Sequence, residues 1–134
     1  MNAPNLRVGD ISKLYFPEIT TTDIVKYACA SGDFNPLHFD HLYATSRGMD
    51  GVVAHGMLSM GLCASGIAKT FGHELWLKKL DARFTAPVYA GMSVEIEYEV
   101  LEAMPKNEWL VSVRAHAQGK SVIVGSATLA SFSN

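Results

Sequence analysis

Between Tyr27 and His38 the chain reads Tyr-Ala-Cys-Ala-Ser-Gly-Asp-Phe-Asn-Pro-Leu-His, with Ala44 following six residues later. A carboxylate (Asp33), an amide (Asn35) and an imidazole (His38) thus share one short stretch. Asp33 can take up a proton, and His38 can donate or accept one near neutral pH. Pro36 forces Asn35 towards an extended conformation and stiffens the loop, so the two groups can be held at a fixed separation. Two readings stand side by side. In one, Asp33 and His38 are an acid/base pair on a rigid loop. In the other, Asp33 caps a turn and His38 satisfies a backbone carbonyl.

Other chemistries fit the chain less well. His38, Asp40 and His41 carry ligand atoms, but two ligands so close need a third from elsewhere, and no His-x-x-Glu-His pattern exists. No metal is expected. Gly56-Met57-Leu58-Ser59-Met60-Gly61 misses the Gly-x-Ser-x-Gly spacing of a serine hydrolase.

The elements that must hold the loop are a helical first half and a stranded second half. Leu14 to Thr20 reads as a first strand, and the run Thr20-Thr21-Thr22-Asp23 suits a helix N-cap. A helix is predicted over Asp23 to Ala30, with Ile24, Tyr27 and Ala28 on one face and Ser31-Gly32 as its stop. A short helix over Asp40–Ser46 and a turn from Gly48 to Gly51 follow. From Gly56 to about Thr70 there is no polar face, which predicts a buried helix. Its small residues Gly61, Ala64, Ser65, Gly66 and Ala68 would let a curved sheet pack closely along it.

After Gly72 the period becomes two. One strand covers roughly Leu75–Thr85; Val94, Ile96, Tyr98 and Val100 then alternate with Glu95, Glu97 and Glu99. Val111, Val113, Ala115 and Ala117 alternate with Ser112, Arg114, His116 and Gln118, and Gln118-Gly119-Lys120 turns the chain into Ser121–Ala130. The sum is an α+β fold: about five strands, nearly all consecutive, in an antiparallel sheet wrapped around the apolar helix.

The 134 residues are read as one domain, 1–134. Charged residues are 18% of the chain against a typical ~25%, and hydrophobic ones 49%, which argues against disorder. Eleven basic against 13 acidic residues, net −2, exclude a nucleic-acid binder that works by bulk positive charge. Cys29 and Cys63 match no zinc or redox spacing and read as free buried thiols in a reducing compartment. Met1 to Arg7 has no apolar signal core. Gly51 to Ala68 is uncharged, but His55, Ser59, Ser65 and four glycines make a membrane span the poorer reading. A soluble, cytoplasmic protein is expected.

The Tyr27–His38 segment closely resembles the signature of the (R)-specific enoyl-CoA hydratases and MaoC-like dehydratases, which have a hot-dog fold. Ala30 stands where a branched aliphatic residue is expected before Ser-Gly-Asp. Val53-Ala54-His55-Gly56-Met57-Leu58 resembles the start of that family's central helix, and Arg83-Phe84 with Pro87-Val88 and Gly91 the strand and turn after it. Together these elements span essentially the whole chain.

The resemblance implies reversible hydration of trans-2-enoyl thioesters to (R)-3-hydroxyacyl thioesters. Asp33 and His38 would be the acid/base pair around the water, with Asn35 helping to hold the loop at the substrate. The developing enolate oxygen needs donors, and a helix N-terminus supplies them. The Gly56 N–H is the candidate, its glycine also permitting close approach of the thioester; the alternative is a plain turn glycine. His55 either orients that segment, lines the pocket or is structural. Ser59 either contacts substrate or bonds back to a helix carbonyl. Arg83, Lys69, Lys78 and Lys79 either meet the carrier's phosphates or pantetheine arm or are solvated surface, with Arg83 alone singled out as a structural or pocket-edge residue.

No cofactor is implied beyond the thioester carrier, coenzyme A or acyl carrier protein. Partners are the acyl thioester and a second hot-dog subunit, joined edge to edge in a homodimer or in a heterodimeric dehydratase whose catalytic half is this chain. A hot-dog thioesterase and a non-catalytic acyl-binding subunit are the rival readings. The imidazole favours hydration, since it serves proton delivery to carbon, and a silent subunit has no need of both Asp33 and His38.

Overall fold

Val94, Ile96, Tyr98 and Val100 are all buried, while Glu95 between them is exposed. One dry and one wet face is what alternation at period two predicts for an antiparallel strand. The structure, a computed structural model, describes residues 5–132. Met1 to Pro4, part of the stretch read for a targeting signal, lies outside the described residues.

Five strands form one sheet: β1 (Ile11–Phe16), β2 (Leu75–Phe84), β3 (Val94–Met104), β4 (Glu108–Ala117) and β5 (Lys120–Ser131). Their spatial order is β1-β3-β4-β5-β2, with every neighbouring pair antiparallel. Consecutive pairing therefore holds only for β3–β4–β5. The segment between β1 and β2, which contains the helices, carries the chain from one edge of the sheet to the other. The first strand also differs from expectation. It starts earlier and stops at Phe16, because Pro17 has no N–H for a ladder. Ile19 instead exchanges backbone bonds with the 91–92 turn, its N–H donating to Met92 O (2.9 Å) and its carbonyl accepting from Gly91 N (2.7 Å).

Helix α1 (Thr21–Ser31) is set by its cap. The Thr20 hydroxyl accepts from Asp23 N (3.1 Å) and the Asp23 carboxylate from Thr20 N (2.9 Å), a reciprocal capping box. At the other end Gly32 takes φ 76° and donates to Ala28 O at 2.9 Å, a left-handed turn that glycine makes without strain. The helix ends there, and the Asp33–His38 loop begins.

Helix α3 (Gly56–Phe71) lies on the sheet through Ser59, Cys63, Gly66 and Ile67. Tyr98 of β3 is wholly buried beneath it and donates its hydroxyl to the Cys63 carbonyl at 2.7 Å. A Cβ on Gly66 would run into that hydroxyl. Here, at Gly66, the expected close approach is real. Met57, Gly61, Ser65 and Ala68 are exposed, so the helix is buried on one stripe and not all round. Small apolar side chains leave no polar face to mark the outer stripe, which is why hydropathy alone overstated the burial. The cysteines divide likewise: Cys63 is buried and Cys29 is exposed on α1, correcting the expectation of two buried thiols.

Candidate active site

The Asp33–His38 loop is held by its own short side chains. Asp33 N donates to Ser31 Oγ (3.2 Å), Asn35 N to Asp33 Oδ1 (3.2 Å) and Leu37 N to Asn35 Oδ1 (3.1 Å). These are the turns that Asp and Asn favour. Asn35 caps a 3-10 turn, Pro36–His38, in which Pro36 takes the first position. Its side chain thus works within the loop.

A second segment, Val53–Gly56, clamps this loop. Val53 N donates to Leu37 O (3.0 Å), His38 Nδ1 bonds to Val53 O (2.7 Å), and His55 Nε2 bonds to Asp33 O (3.0 Å). A carbonyl oxygen only accepts, so each of those ring nitrogens carries a hydrogen. In the neutral His38 ring the free lone pair is then on Nε2, which lies 3.7 Å from Asp33 Oδ2. That spacing is too long for a direct hydrogen bond, yet one water oxygen about 2.8 Å from each atom fits between them. The Asp33 side chain is 53% exposed and that of His38 13%, so water reaches the pair from the carboxylate side.

Gly56 opens α3 directly after the clamp. No side chain caps this end. Among the described residues the N–H groups of Gly56, Met57 and Leu58 have no acceptor, and the first inward backbone bond is Ser59 N to His55 O at 3.2 Å. Unpaired donors and the positive end of the helix dipole coincide there. A cleft of about 460 Å³ runs past this point, lined by His38, Val53, Gly56, Phe84, Thr85 and Pro87 with three neighbours. The Phe84 ring lies against Gly56, and a Cβ there would come within 3.1 Å of it.

The remaining expected residues separate. His55 is buried at 2% exposure beside the loop, and Ser59 is buried one turn into α3. Arg83 is exposed and lines a shallow groove with Asp81, Val124 and Ser126, not the cleft; adjacent strand residues point to opposite faces, and Phe84 has the cleft side. Lys69 sits 4.8 Å over the Phe16 ring, Lys78 pairs with Glu108 and Lys79 with Asp81. The trio His38, Asp40 and His41 does not assemble, because Asp40 caps helix α2 (His41–Ser46) through Tyr43 N at 3.0 Å. Asp33, His38 and His55 instead bring one ligand atom each to within 4.8 Å of one another. The two rings are stacked, 3.7 Å between centroids and 22° between planes. Their in-plane lone pairs therefore run side by side and do not converge on one ion.

Tyr27, Val53 and Phe84 acquire contacts that residue-by-residue reading missed. All three lie inside the motif stretches, and only the fold reveals what each touches.

The sheet and its helix superpose on the R-hydratase PhaJ1 of Pseudomonas aeruginosa with a TM-score of 0.89, at 36% identity, over 97% of this chain and 86% of that one. The fold is thereby of the hot-dog class. Within that class the chain belongs to the MaoC-like domain family, whose model matches residues 13–125. It is 30% identical over 103 residues to the 3-hydroxybutyryl-CoA dehydratase of Methylorubrum extorquens, covering 76% of this chain and 65% of that protein. It is 29% identical over 102 residues to the (R)-specific enoyl-CoA hydratase of Aeromonas caviae, covering 75% of each. The chain thus spans just under two thirds of the length of the dehydratase.

Proposed function

We propose that this protein interconverts trans-2-enoyl thioesters and (R)-3-hydroxyacyl thioesters by acid/base addition of water. The observation that carries the reading is the facing pair, Asp33 Oδ2 and His38 Nε2, 3.7 Å apart, with the His38 tautomer set by Val53. A water between them loses a proton to the pair as its oxygen attacks C3 of the enoyl group. Electrons move onto the thioester oxygen, which is stabilised by the Gly56 N–H and the helix end behind it. The pair then returns a proton to C2, so one H and one OH have been added. Dehydration is the same path reversed. The (R) configuration is drawn from the relatives named above.

Nothing in this sequence of steps calls on a metal or redox cofactor; the carrier is coenzyme A or acyl carrier protein. His38 and Asp33 are the catalytic residues and Gly56 the oxyanion donor. Ser59 lies behind Gly56 on the buried stripe of α3, and Asn35 serves substrate by shaping the loop. A cytoplasmic location suits two free cysteines, one of them exposed. No helix among the described residues is long and apolar enough to cross a membrane.

The partner is a second copy joined through β2. This edge strand has ten residues against six in β1, and Trp76 (41%) and Phe84 (49%) are exposed along it. Such an edge invites pairing. Because Phe84 also lines the cleft, a neighbour there would border the site. A different hot-dog subunit in that place would make the chain half of a heterodimeric dehydratase.

Crotonyl-CoA hydration tests the reaction, followed as loss of the enoyl-thioester absorbance with free thiol monitored in the same sample. Loss of absorbance without thiol, giving (R) product and falling by roughly 10²–10⁴-fold in D33N and in H38A, is expected. Thiol release would mark a thioesterase. Silence with every chain length, relieved only by a second hot-dog subunit, would mark the heterodimer.

A further inference from the structure

We propose that His55 is a positioning residue that sets the acid/base loop against the oxyanion donor; this rests on the hydratase reading. Its backbone is joined directly to Gly56, while its side chain reaches Asp33, 22 residues earlier, through the Nε2–H bond to the Asp33 carbonyl at 3.0 Å. One residue therefore spans both halves of the site. Its ring also contacts two others. Tyr27 backs it at 4.8 Å and 58°, and His38 stacks on it at 3.7 Å and 22°. With one face of the His38 ring covered, rotation of that ring away from Asp33 meets the His55 ring.

The second ring nitrogen shows that packing alone does not explain a histidine here. His55 Nδ1 is buried and has no protein partner among the described residues, an arrangement that costs stability. Phenylalanine would fill the same slot beside Tyr27 and His38 without that unmet atom. What histidine adds is the single N–H directed at Asp33. Small displacements of an acid/base pair weaken catalysis steeply, by up to about 10²-fold for roughly 1 Å, so a residue that ties both halves together acts on turnover and not on binding.

Three variants separate the two contacts. H55F keeps the ring and loses the donor; H55Q keeps a side-chain N–H near the Nε2 position and loses the ring; H55A loses both. With crotonyl-CoA, H55F and H55Q are each expected to lower kcat on the order of tenfold, and H55A about a hundredfold, with KM within about twofold of wild type. Values are taken per folded molecule, from thermal melts of the same samples. A kcat within about twofold of wild type in both H55F and H55Q, or a loss confined to KM, overturns the proposal. If one of the two fails to fold, the other decides by the same criterion.

A second readout does not depend on the reaction. Long-range ¹H–¹⁵N spectra of wild type should show His38 as the single Nδ1–H tautomer that the Val53 carbonyl sets. In H55A and H55Q, which no longer hold the stacked His38 ring against that carbonyl, the ring should turn off it and show an averaged tautomer. An unchanged His38 pattern overturns the positioning role. Wild-type protein that hydrates no enoyl thioester overturns the hydratase reading instead, and leaves the spectroscopic result to judge His55.

Discussion

Each nitrogen of His38 has one task. Nδ1 is committed to the Val53 carbonyl at 2.7 Å, which leaves the Nε2 lone pair facing Asp33, where the proposed reaction needs it. His38→Gln should retain a polar contact near Asp33 but transfer no proton, so kcat should fall by about 10²-fold or more while thermal stability stays close to wild type; stopped assays with melts alongside would check it. The cysteines make an independent prediction. Burial pushes the Cys63 thiol up to about 11, and the thiolate is the reactive form. At pH 8 an alkylating reagent should therefore label Cys29 alone in the native protein and both cysteines after unfolding, as counted by intact mass. Fast native labelling of both would mean that α3 lifts from the sheet.

At the level of elements, two junctions place the loop. The first is the α1 cap. Replacing Thr20 by Ala should cost about 1 kcal/mol in a denaturant titration. Asp23 is held below the ordinary carboxylate value of 3.8, first by the Thr20 backbone N–H, then by the Thr20 hydroxyl and Lys26. A lowered folded value means that its contribution is complete above the unfolded pKa and disappears as pH falls through the folded one. The midpoints of wild type and D23N should thus differ at pH 7 and converge at strongly acidic pH. A constant difference would show that the charge is irrelevant to the cap.

The second junction is Gly66 under Tyr98. Alanine in a helix interior is ordinarily a gain of about 1 kcal/mol over glycine. Here the added methyl meets the Tyr98 hydroxyl, which is buried and bonded to Cys63. Overpacking of this sort costs roughly 1–3 kcal/mol, so G66A should be destabilised. Tyr98→Phe in the same chain should recover part of the loss, a coupling that a thermodynamic cycle measures.

For the molecule as a whole, the proposed pairing through β2 predicts sedimentation at twice the mass of a 14.6 kDa chain. Phe84→Lys at that edge should weaken the dimer and, because Phe84 borders the cleft, reduce hydration with it. A monomer with full activity would remove the second copy from the site.

Much of this was written locally. The Thr20 cap, the glycine stop at 32, the alternation of β3 and β4 and the 118–120 turn depend on neighbours within a few residues, and each lies where propensity and period put it. Asp33 and His38 were legible as near neighbours for the same reason, since only four residues, one of them a proline, lie between them. Of the two readings of the loop the structural one is observed, Asp33 capping a turn and His38 bonding a carbonyl, and those contacts leave Asp33 Oδ2 and His38 Nε2 facing each other, as the proposed acid/base pair requires. What only tertiary structure decided is what lies far apart in the chain. Pairing of β2 with β5, the exposed outer stripe of α3, Phe84 against Gly56, and His55 bonded to Asp33 all arise from packing between segments that share no local pattern. Local rules decide which residues can turn, cap or alternate; long-range packing decides which of them meet.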